Sequence, residues 1–119
     1  TIGTDHAPHL LAEKQRPGMT AVSGAPSIQF ALPLMLTYLP AEIIIEKMTC
    51  GPADIFNIGV TTSLKPGQVA DFALVRDVPD YTLSDADAVS LCGWTPLAGR
   101  KLRHRVEHTW CAGVTTWTL

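Results

Sequence analysis

The chain has 119 residues, enough for one domain of ordinary size, with 46% hydrophobic and 17% charged residues and a formal net charge of −2. That balance excludes a disordered chain and gives no general attraction to nucleic acid or an anionic membrane. No apolar run approaches the ~18–20 residues of a membrane span; the richest, Ile28 to Leu39, is broken by Pro33 and followed by Pro40.

Ile2-Gly3-Thr4 reads as the end of a buried strand, cut into without an initiator Met, and Asp5 follows at its tip. Residues 10–25 read as a loop punctuated by Pro17-Gly18 and Ser23-Gly24, long enough to suggest a functional one. A helix is predicted from Pro26 to Leu39, with Ser23 or Gly24 near its cap. Ile28, Ala31, Leu32, Met35 and Leu39 share its apolar face, and Pro33 should kink it. Pro40 starts a second helix running to about Thr49, stopped by Gly51-Pro52, and a short third helix from Pro52 to Ile58 ends at Gly59.

After residue 60 the period changes. Pro66-Gly67 makes a turn into a short strand, Val69 to Val75, and Pro79-Asp80 and Ser84-Asp85 mark loops. Lys101 to Trp110 alternates, with Leu102, His104, Val106, His108 and Trp110 on the inner face and Lys101, Arg103, Arg105, Glu107 and Thr109 outside. Gly113 turns into a last strand, Val114 to Leu119. The basic run Arg100 to Arg105 is then a solvated strand face rather than a nucleic-acid site. Cys50, Cys92 and Cys111 are odd in number and widely spaced, so they read as reduced thiols of a cytoplasmic protein.

The chemistry concentrates in Thr4-Asp5-His6-Ala7-Pro8-His9, with Glu13-Lys14 close behind. An acid just after an apolar strand sits where parallel barrels place their active sites, and it can ligate a cation or carry a proton. It can also simply cap a loop. His6 and His9 are three residues apart, so one metal could use both, whereas His104 and His108 on a strand lie roughly 13 Å apart.

This run resembles the motif that follows the eighth barrel strand of dihydroorotases, in the amidohydrolase superfamily. Gly24-Ala25-Pro26 through Leu34, Pro52-Ala53-Asp54-Ile55-Phe56, Lys65 through Phe72, and Cys92-Gly93-Trp94-Thr95-Pro96-Leu97-Ala98-Gly99 resemble later segments of the family, in order. The resemblance implies an α/β chain: the C-terminal part of a (β/α)8 TIM barrel in residues 1–59, then part of a small β-sandwich in residues 60–119. It implies reversible hydrolysis of (S)-dihydroorotate to N-carbamoyl-L-aspartate in pyrimidine biosynthesis, by a binuclear zinc centre whose other ligands lie on strands absent here. Asp5 would be a metal ligand and the proton carrier. His9 would bind the substrate carboxylate, and the loop at Thr20-Ala21 the ring amide, with Ser23-Gly24 as the alternative register. Gly51 and Ala112-Gly113 depart from the family's usual Asn-containing segments.

On this reading the partner is a small molecule, not nucleic acid or membrane, and the parent enzyme is open to homo-oligomerisation. The chain alone should be inactive. Two alternatives stand beside it: a hydantoinase- or allantoinase-type cyclic amidohydrolase, and a non-catalytic homologue acting as a structural subunit.

Overall fold

A long antiparallel ladder organises the second half of the chain. The computed structural model, which describes residues 1–60 and 62–119, has strands β1 (Phe72–Thr82), β2 (Lys101–Cys111) and β3 (Val114–Thr118) in the order β1-β2-β3. Four helices precede them: α1 (Leu11–Lys14), α2 (Ile28–Tyr38), α3 (Ala41–Met48) and α4 (Cys50–Ile55). Single 3₁₀ turns occupy Gly18–Thr20 and Asp85–Asp87, so the expected loop of residues 10–25 carries two short helical turns.

Ile2 to Thr4, read as a strand end, form no strand. Ile2 N–H donates to the Lys47 carbonyl at 3.1 Å, and the one parallel pairing among the described residues is an isolated bridge between His6 and Ala25. A parallel barrel strand takes its backbone bonds from strands on either side, and the described residues supply none.

Helix α2 lies on β2 and supplies the core. Phe30 packs with Leu83 and Leu102, which are 1% and 0% exposed, and Leu34, Tyr81 and Leu97 close around them. The helix continues through Pro33, and the Thr37 hydroxyl donates to the Pro33 carbonyl at 2.8 Å. Its buried face differs from the predicted stripe: Phe30, Ala31 and Pro33 are buried, while Ile28 is 60% and Leu39 44% exposed. The helix is apolar on nearly every side, so a 3.6-residue period cannot single out the face that meets the sheet.

Helix α3 begins after Pro40 as expected, but Gly51-Pro52 does not stop it. The helix ends at Met48, and Gly51-Pro52 falls in the first turn of α4, where a proline forfeits no helical hydrogen bond. Asn57, with φ of 50°, ends that segment before Gly59.

Strand β1 is longer than predicted and contains Pro79-Asp80. The ladder runs from Asp77 opposite His104 to Tyr81 opposite Leu102, so three residues of β1 face one of β2. Proline is tolerated at such a break in an edge strand. A second irregularity changes the faces of β2. Leu74 pairs with His108 and Val75 with Val106, which leaves Glu107 as the extra residue of a bulge. Below it His104 faces α2, within 3.4 Å of the Thr37 hydroxyl. Above it Trp110 turns away from α2 to pack against Phe72, ring centroids 4.7 Å apart, with His108 on the same side. The single inner face predicted for Leu102, His104, Val106, His108 and Trp110 is therefore split. Glu107 pairs with Arg76.

Two local devices close the fold. Between Cys111 and Val114 the two turn residues, Ala112 and Gly113, have φ of 51° and 78°, the conformation of a type I′ hairpin turn. At the other, Asp87 accepts hydrogen bonds from the Ser84 N–H at 2.9 Å and the Ser84 hydroxyl at 2.8 Å. These bonds, backbone first, hold the Asp87 carboxyl below the usual carboxylate range, and Arg105 acts in the same direction.

An L-residue without a local hydrogen-bonding side chain is strained at the Ala112 conformation. Ala112→Asn should therefore stabilise the protein by about 0.5–1 kcal/mol, read as a raised urea midpoint; a lowered midpoint would contradict the turn assignment. Asp87, with its folded pKa lowered, adds stability that is complete above the ordinary carboxylate range and lost as pH falls through the lowered value. Ser84→Ala should move the Asp87 titration, followed by carboxyl carbon NMR, upward toward the ordinary range. An unmoved titration would show that the Ser84 hydroxyl does not bond the Asp87 carboxylate.

Candidate active site

The segment Thr4–His9 is fastened to the start of α2 at three points. Ser27, the residue before the helix, sends its hydroxyl to the Thr4 carbonyl at 2.6 Å. The His6 ring does the capping that Ser27 then leaves undone: its Nδ1 accepts the N–H groups of Ser27 at 3.1 Å and Ile28 at 3.3 Å. Ala7 N–H donates to the Ala25 carbonyl at 3.1 Å. The two chains run so close that a Cβ on Gly24, whose φ is 100°, would lie 2.7 Å from the Ala7 Cβ and carbonyl oxygen. Only glycine fits there.

Asp5 sits between two of these fastenings, exposed, with a left-handed φ of 46°. Left-handed backbone at a non-glycine residue is uncommon and collects at functional sites, although Asp accepts it more readily than most. His9 is half-buried. Its Nδ1 lies 3.7 Å from Glu13 Oε2, and its backbone carbonyl accepts the indole N–H of Trp94 at 2.8 Å. Glu13 Oε2 also accepts the Leu10 N–H at 3.0 Å, and Lys14 Nζ donates to the Val22 carbonyl at 2.6 Å. Thr20 and Ala21 lie at the end of the 3₁₀ turn. The Thr20 hydroxyl and N–H both turn back to the Pro17 carbonyl, and Ala21 N–H to Gly18. Those two amides are thus occupied within their own turn.

The residues present do not by themselves fit a metal centre. Among the described residues no group of three His, Cys, Asp or Glu side chains is placed to hold an ion. His6 and His9 do not form the metal pair their spacing allowed. An Nδ1 that accepts two amides carries no proton, so the His6 ring proton is on Nε2 and neither nitrogen offers a free lone pair. Asp5 remains as one carboxylate donor.

A cavity of about 520 Å³ lies elsewhere, between α2 and the sheet, and includes Phe30, Pro33, Val106 and Trp117 in its lining. Its charged groups are already engaged: Arg105 lies over the Tyr81 ring at 3.8 Å and 4.0 Å from Asp87. Burial pushes the Tyr81 hydroxyl up, and Arg105 opposes that shift. This space belongs to the helix–sheet packing, and neither Asp5 nor His9 lines it.

The sequence allowed His6 to satisfy a neighbouring backbone group, which it does at the start of α2, but it pointed neither to Ser27 nor to the Trp94 contact. The signal for Ser27 was available, since Ser is a preferred residue just before a helix. The Trp94 contact joins residues 85 apart and has no local signature.

No protein-family model matches the chain. Its sequence is nonetheless similar to those of dihydroorotases. It is 33% identical over 118 residues to the dihydroorotase of Pediococcus pentosaceus, covering 94% of this chain and 28% of that protein. It is 38% identical over 106 residues to that of Deinococcus radiodurans (86% and 25%) and 33% identical over 113 residues to that of Pyrococcus abyssi (91% and 27%). The chain is thus similar to dihydroorotases over nearly all of its own length, and it spans about a quarter of the length of the curated relatives it matches.

His6→Ala removes the cap of α2 and is expected to cost about 1 kcal/mol of stability. His6→Asn, whose carbonyl can accept the same amides, should restore most of it in urea denaturation. An alanine variant as stable as the parent would show that the ring does not cap the helix.

Proposed function

We propose that these residues form the C-terminal part of a dihydroorotase, which reversibly hydrolyses (S)-dihydroorotate to N-carbamoyl-L-aspartate in the cytoplasm, for pyrimidine biosynthesis. The observation that carries the reading is the similarity to dihydroorotases across nearly the whole chain. Residues 1–59 are the end of a (β/α)8 barrel and residues 60–119 part of a β-sandwich. The confinement of the four helices to the first range and of the three strands to the second supports that division.

Asp5 serves as a metal ligand and carries a proton to the departing ring nitrogen. Its exposure and its fastening on both sides suit a group that must reach substrate without drifting. His9 binds the substrate carboxylate, and the Thr20-Ala21 turn lies against the ring amide. Zinc, as a binuclear centre, would supply an activated water and polarise the carbonyl. Asp5 is the one ligand proposed from this chain, so the remaining ligands come from outside it. No helix among the described residues is long and apolar enough to cross a membrane.

The test is the complete open reading frame containing these residues, assayed side by side on dihydroorotate, hydantoin and allantoin. Dihydroorotate should be the preferred substrate, with turnover lost on chelation and regained with zinc. Asp5→Asn should lower kcat by about 10²–10⁴-fold. Preference for hydantoin or allantoin would move the protein to the other cyclic amidohydrolases. No turnover, with co-purification of an intact homologue, would make it a structural subunit.

A further inference from the structure

The peptide unit between His9 and Leu10 is held at both ends. Its carbonyl accepts the Trp94 indole N–H at 2.8 Å, and its N–H donates to Glu13 Oε2 at 3.0 Å. Fixing that plane fixes the place of the His9 Cα, and with the Ala7–Ala25 bond holding the chain before it, it narrows ψ of His9 and the direction in which the side chain leaves the backbone. Glu13 belongs to the same local turn as His9 and moves with it. Trp94 does not: it comes from the far half of the chain and is the only one of the two holds with an independent anchor.

That anchor is firm. The indole is half-buried, and its single donor has the partner that a buried tryptophan needs. The next residue, Thr95, is 4% exposed, and its N–H is bonded to Asp85 Oδ1 at 2.9 Å. The Asp85–Asp87 turn is in turn tied to α2 by Gln29, whose amide nitrogen donates to the Asp87 carbonyl at 2.8 Å and whose amide oxygen accepts the Val89 N–H at 3.0 Å. The Trp94 ring is therefore referenced to the same helix that holds Thr4 and His6.

Resting on the dihydroorotase reading, and on His9 as the reader of the substrate carboxylate, we propose that Trp94 is a positioning residue that sets the aim of His9 through its backbone carbonyl. Substrate affinity in this site then depends on a residue of the β-rich half that makes no contact with the substrate.

The experiment uses the complete-frame enzyme, labelled with ¹⁵N at the tryptophan indoles. Trp94→Phe keeps an aromatic ring and removes the donor. Trp117→Phe is the control, because the Trp117 indole bonds the Val106 carbonyl at 3.4 Å within the sheet. Trp94→Phe is expected to raise KM for dihydroorotate about five- to tenfold while kcat changes less than about twofold. The rise should vanish when His9 is already alanine, since the two changes act on one interaction. The indole proton assigned to Trp94 should exchange slowly with solvent. Trp117→Phe should leave KM unchanged.

An unchanged KM in Trp94→Phe, or an equal rise in the His9→Ala background, overturns the positioning role. So does an indole proton exchanging as fast as one open to solvent. A parent enzyme inert toward dihydroorotate overturns the functional reading and this role with it. That result is read on the parent, before any variant, and so is distinct from failure of the Trp94 contact.

Discussion

The unpaired amides at the start of α2 are the point on which the N-terminal half depends. A helix leaves its first N–H groups without internal partners. Here the usual remedy, a hydroxyl from the capping serine, is not used. Ser27 turns its hydroxyl outward to Thr4, and a histidine ring from 21 residues earlier takes the Ser27 and Ile28 amides instead. The exchange converts a local cap into a tie between two separate stretches of chain. Asp5 gains a fixed place because its neighbours on both sides are needed to finish the helix.

That helix is in turn held by the sheet. Phe30 reaches the Leu83–Leu102 core, and Thr37 meets the edge of β2 through His104 and the Arg103 amide. The order of dependence runs from a buried leucine cluster, to a helix laid over it, to the amides at the helix start, to an exposed carboxylate. Each link is short-range and ordinary in strength. The geometry of the segment comes from their being in series, which is why a carboxylate with no buried surroundings of its own still has a defined backbone.

The sequence disclosed these elements unevenly. The strand Lys101–Cys111 was legible from its alternation, but the bulge at Glu107 was not. One extra residue leaves the local pattern intact while turning His108 and Trp110 to the opposite side from His104. Pro79 argued for a loop, and the chain instead carries it inside a broken edge strand. The apolar face of α2 was misplaced because leucine and methionine surround the helix. At the site, Asp5 and His9 could be read because their motif is contiguous. The particular partners of His6 and Trp94 could not, since each lies 21 to 85 residues away and only the folded chain brings them near.

The break in β1 bears on self-association. β1 forms an outer edge of the sheet, and an uninterrupted edge invites a strand from another molecule to continue the ladder. Between Asp77 and Tyr81 the register slips, and Pro79 lacks the amide that an incoming strand would need. The edge is thereby divided into a six-residue length from Phe72 to Asp77 and a two-residue remnant at Tyr81-Thr82. A docking strand would lose its hydrogen bonds midway and have to bend to find them again, so an irregularity that looks like poor strand design makes the β1 side of the sheet a poor template for polymerisation.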